Sequence, residues 1–81
     1  MDVDNLIDMA NRIGEFFESL PDRHEAEDSI ADHIRRFWEP RMRIAILASL
    51  DDPEASAGME PIVREALVMH KADLQPKAAT V

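Results

Sequence analysis

The sequence predicts an all-α protein: a small bundle of about four helices with a flexible C-terminal tail. Three observations carry this. Apolar residues recur at three- and four-residue spacing in every patterned stretch, and no stretch alternates as a strand would. The prolines fall where helices stop or start. Almost half of the 81 residues are hydrophobic, which sets the chain apart from disordered acidic tails despite its net charge of −8.

The first predicted helix covers about residues 3–20. Val3, Leu6, Ile7, Ala10, Ile13, Phe17 and Leu20 fill one half of the wheel, with Met9 and Phe16 at one margin. Asp2 is placed to cap it, and the early aspartates suit the helix dipole. Gly14 lies at the edge of the apolar face, where it costs about 1 kcal/mol against Ala; close helix packing is expected there. Pro21 ends this helix. Asp22 with Glu25 three residues on reads as a capping box and opens a second helix over about 23–38, whose apolar face is Ala26, Ile30, Ala31, Ile34, Phe37 and Trp38. Glu39 precedes Pro40 and so avoids the α region, while Pro40 suits the first position of a third helix, about 40–50. The junction between the two is very short.

The third helix is apolar almost all round. Met42, Ala45, Ile46 and Leu50 cover one side, and Ile44, Leu47 and Ala48 much of the other. Such a helix is either central or shared with a partner. Asp51-Asp52-Pro53 reads as a stop and a short helical turn closed by Gly58. A fourth helix, about 60–72, opens at Pro61 and carries Ile62, Val63, Ala66, Leu67 and Met69 on its apolar side. Residues 1–72 are thus expected to form one helical domain, and 73–81 a mobile tail.

Few chemistries fit this chain. It has no cysteine, so no thiolate is available as nucleophile or ligand. His24, His33 and His70 show no metal-ligand spacing, and Glu25, Asp28 and Asp32 read as a solvated charged face. No serine has a nucleophile-elbow context, and two glycines make no phosphate loop. The sequence predicts no catalytic, cofactor or metal site. The negative charge opposes nucleic acid and anionic membranes, so a helix-turn-helix reading of the second and third helices finds little support. No apolar run approaches the roughly 18 residues of a membrane span. Asp2, Asp4 and Asp8 stand where a signal peptide would be basic or apolar, which suggests a cytoplasmic protein.

One segment stands apart. Residues 30–43, Ile-Ala-Asp-His-Ile-Arg-Arg-Phe-Trp-Glu-Pro-Arg-Met-Arg, hold the only tryptophan and four of the nine basic residues. Arg, Trp, Phe and Met are enriched at interface centres. Arg35, Arg36, Arg41 and Arg43, with Phe37 and Trp38 as apolar anchors, are therefore candidates to clamp another chain. A second reading stands beside this one: the arginines pair with Asp32, Glu39 or the acids of the first helix, and Trp38 belongs to the core. Trp38 can serve both ends, with one ring face buried and its N–H reaching outward.

The same segment closely resembles the signature of the small delta subunit of soluble NAD-dependent formate dehydrogenases. Residues 6–17 resemble that family's opening helix and 61–67 its closing one, so the likeness spans roughly residues 5–70. It implies a non-catalytic accessory subunit that docks on a large molybdenum- or tungsten-containing catalytic subunit and supports assembly or stability of the holoenzyme, with Arg35, Arg36, Phe37, Trp38, Pro40, Arg41 and Arg43 as the partner-binding residues. It also implies that the partner subunits, not this chain, carry bis-molybdopterin guanine dinucleotide, iron–sulfur clusters and FMN, oxidising formate to CO₂ and reducing NAD⁺. The alternative is a self-associating helical adaptor, a homo-oligomer when isolated, motivated by the excess apolar surface of the third helix.

Overall fold

The computed structural model describes residues 2–76, and among them every regular element is helical. In chain order these are α1 (Val3–Phe17), α2 (Arg23–Phe37), α3 (Pro40–Ser49), α4 (Pro61–Met69) and the single turn α5 (Lys71–Leu74). Helix α1 packs against α2, α3 and α4, while α2 packs against α1, α4 and α5. The core forms where the apolar faces meet: Leu6, Ile7 and Ala10 of α1, Ala26, Ile30 and Ile34 of α2, Ile46 and Leu47 of α3, and Ile62, Val63, Ala66 and Leu67 of α4.

The caps follow the sequence. The Asp2 carboxylate accepts from the Asp4 and Asn5 amides, and Asp22 accepts from those of His24 and Glu25. Asp52 does the same for Glu54 and Ala55, opening the turn that leads to Gly58. Gly14 lies tight against α4. A methyl group at its Cα would lie 2.7 Å from Cγ2 of Val63, so the expected tight packing is the α1–α4 contact.

Three features differ from expectation. Helix α1 ends at Phe17, not Leu20, because Leu20 precedes Pro21 and is pushed out of the helical region. Its amide bonds back to the Phe17 carbonyl at 3.0 Å and its side chain folds onto the core. Helix α3 is not central: it lies mainly on α1, buries Ile46, Leu47 and Ser49, and leaves Ile44 and Ala48 in solvent. The fourth predicted helix is two pieces. His70 (φ −107°, ψ 20°) leaves helical geometry, and the chain restarts as α5 against α2. Asp73 and Leu74, assigned to the tail by sequence, belong to α5, and Leu74 is buried in the core. Of the expected tail, residues 77–81 lie outside the described residues.

Candidate docking surface

The corner between α2 and α3 sorts the candidate residues by direction. Ile34 is fully buried, so Arg35 and Arg36 fall on the outer face of α2. Both reach back to one carboxylate: Arg35 Nη2 to Asp32 Oδ1 at 2.8 Å and Arg36 Nε to Asp32 Oδ2 at 2.9 Å. The Arg36 hydrogen bond, then that from Arg35, holds the Asp32 carboxyl below its usual range.

Trp38 turns inward. Its backbone is extended (φ −94°, ψ 136°) although its amide still bonds the Ile34 carbonyl, and the residue is only 6% exposed. Phe37, one residue earlier, is 71% exposed. The extended backbone at Trp38 and Glu39 is what Pro40 demands of the approach to α3. Pro40 itself and Arg41 are exposed, and among the described residues Arg41 has no ion-pair partner. Arg43 is half-buried, its Nε hidden from solvent without an acceptor. With Arg35 it lines a cleft closed by Ala72, Asp73, Gln75 and Pro76. The seven candidates therefore do not form one patch. Arg36 and Phe37 share the flank of α2, Arg35 and Arg43 face α5, and Trp38 pins the corner from beneath.

Phe37 is the end of an aromatic chain that crosses from α2 to α1. Its ring centroid lies 4.8 Å from that of His33, His33 lies 6.4 Å from Phe17, and Phe17 meets Phe16 edge-on at 5.0 Å. Phe16 is 72% exposed. Arg12, Ile13, Phe16, Phe17 and His33 line a shallow apolar groove between the two helices. The elbow segment alone does not reveal this surface. Its signal is the placement of Met9 and Phe16 at the margin of the α1 apolar face, beyond the arc that the core covers.

A second cluster bridges α2 and α4 at the surface. Arg23 holds Glu65 bidentately, Nε to Oε1 at 3.0 Å and Nη2 to Oε2 at 3.1 Å, and stands 3.5 Å from the buried Glu27. The hydrogen bond to Glu65, and then burial, push the Glu27 carboxyl upward, while Arg23 draws Glu65 downward. Arg23 thus bridges the Glu27 carboxyl of α2 and the Glu65 carboxyl of α4. Among the described residues no group of three or more His, Asp or Glu is placed to hold a metal ion. Nor is any helix there long and apolar enough to cross a membrane.

The family model for the NADH-dependent formate dehydrogenase delta subunit, FdsD, matches residues 5–67. The chain belongs to this delta-subunit family. The match runs from α1 to the last buried residue of α4, and so includes both helices of the aromatic groove and the whole α2–α3 corner. Neither a curated protein nor a solved structure gives a significant match.

Proposed function

We propose that the chain is a non-catalytic accessory subunit of an NAD-dependent formate dehydrogenase, docking on its large molybdopterin-containing catalytic subunit in the cytoplasm and supporting assembly or stability of the complex. Family membership supplies the enzyme. The observation that supports docking is the exposure of Phe37 beside Arg36, at a corner whose rigidity comes from the buried Trp38. Aromatic residues and Arg are enriched at interface centres. In this reading Arg35, Arg36, Phe37, Pro40 and Arg41 meet the partner, while Trp38 and Arg43 shape the corner.

The chain offers no thiolate for an iron–sulfur cluster. In this reading bis-molybdopterin guanine dinucleotide, the clusters and FMN belong to the catalytic and flavin/iron–sulfur subunits, where formate is oxidised to CO₂ and NAD⁺ is reduced. Co-purification tests the reading. The intact chain should co-purify with the catalytic subunit, and Phe37→Ala or Arg36→Glu should weaken that association tenfold or more. Formate-dependent NAD⁺ reduction should then fall only in proportion to the complex lost. Retention of both variants at wild-type levels would remove the corner from the interface.

A further inference from the structure

The groove between α1 and α2 permits a more specific statement about the occupant, resting on the docking reading above. Ile13, Phe17 and His33 form its floor, and the exposed rings of Phe16 and Phe37 stand at its two helices. It encloses about 360 Å³ and is almost wholly apolar. Two neighbouring helices leave a trough of the kind an apolar ridge at i, i+3/i+4, i+7 fills.

The margins of the trough are cationic. Arg12 lines the trough from α1 beside Phe16, and Arg36, next to Phe37 and three residues beyond His33, is exposed on the α2 side. Their side chains are 77% and 63% exposed, and each is held only by the aspartate four residues earlier, Asp8 at 3.2 Å and Asp32 at 2.9 Å. Exposed pairs of this kind bind weakly, and a guanidinium can present its remaining N–H groups to a second carboxylate. A chain of net charge −8 therefore offers positive side chains on both sides of its most exposed aromatic surface. A second copy is a poor occupant. Association of two copies would double that charge, and a two-fold contact would set Arg12 and Arg36 against the same pair.

We infer that the α1–α2 groove receives an amphipathic helix of the catalytic subunit whose apolar ridge is flanked by carboxylates. Phe16 and Phe37 close over the ridge, and Arg12 and Arg36 take the flanking acids.

The test uses the intact chain co-expressed with the catalytic subunit, with the photo-reactive p-benzoylphenylalanine in place of Phe16. The expected cross-link is to a catalytic-subunit peptide with apolar residues at helical spacing and Asp or Glu on both sides. Capture of a second copy of this chain, or of a peptide lacking those acids, overturns the inference. In parallel, Phe16→Ser and Phe37→Ser should each weaken the complex tenfold or more. The double variant Arg12→Glu with Arg36→Glu should weaken it similarly and abolish most of its salt dependence. All four positions are exposed, so the unfolding transition of the free chain should be unchanged. If the wild-type chain fails to bind the catalytic subunit, the docking reading falls with the groove. If it binds and the phenylalanine variants bind equally well, the groove alone falls.

Discussion

Phe37 and Trp38 are adjacent in sequence and opposite in environment, so they separate stability from binding. Truncating a buried aromatic costs about 3–5 kcal/mol, the whole net stability that a core of this length supplies, roughly 3–5 kcal/mol. Trp38→Ala should therefore be largely unfolded by circular dichroism. Phe37→Ala should keep its unfolding free energy within about 0.5 kcal/mol of wild type. Gly14 makes a similar separation inside the bundle. Alanine there gains about 1 kcal/mol of helix propensity, but its Cβ meets Cγ2 of Val63 at 2.7 Å. Val63 is fully buried and stiff at χ1, so it cannot swing aside. Overpacking of about 1–3 kcal/mol should win, and Gly14→Ala should melt several degrees lower. Adding Val63→Ala should then cost less than it does in the wild-type chain. The Glu27–Glu65 pair makes stability depend on pH. Glu27 is raised above the ordinary 4.5, so the folded chain binds more protons than the unfolded one from that value up to its folded pKa. Its contribution is complete below 4.5 and is lost as pH rises through the raised value. Glu65 is lowered, so its contribution is present above 4.5 and is lost on acidification. Glu27→Gln keeps the shape of the side chain and removes the first titration. In urea unfolding it should be at least as stable as wild type at neutral pH and lose the Glu27-dependent decline on the way there.

Among the elements, those set by local chemistry were legible in the sequence. Pro21, Pro40 and Pro61, with Asp2 and Asp22, fix the starts of α1 to α4 and the stops of α1 and α2 to within three residues, because caps and prolines act on the chain beside them. The break at His70 was not legible. No proline or glycine marks it; it coincides with contacts to α2, where the His70 ring lies 2.7 Å from Asp28 and Leu74 is buried. The Asn11 clamp was equally hidden. Its Nδ2 donates to the Gly58 carbonyl at 2.9 Å and its Oδ1 accepts from the Glu60 amide at 3.0 Å. Both partners lie more than forty residues away, and sequence pattern assigns Asn11 only to the polar side of the first helix. Asn11→Ala should destabilise the chain by about 1–3 kcal/mol. Faster hydrogen exchange at the Glu60 amide would localise the loss. The candidate surface was legible in part for the same reason. The Arg/Trp segment stands out by composition, but whether each member faces solvent, α5 or the core depends on where α2 meets its neighbours.

For the molecule as a whole, apolar surface and charge are unevenly shared. Exposed aromatics gather on the α1–α2 flank, and acids dominate the overall balance. Such a chain should sediment as a monomer when alone, since self-association would bring two net charges of −8 together. Analytical ultracentrifugation at low and moderate salt checks this, and a defined dimer at low salt would contradict it. The inward turn of Trp38 gives the molecule an optical property of its own. The sole indole sits among aliphatic side chains, so its emission should be blue in the native state and shift red as a single step when the chain unfolds. The rings proposed to meet a partner are phenylalanines, which contribute almost nothing to that signal. Intrinsic fluorescence of this subunit is therefore a gauge of its folding that docking should leave largely undisturbed.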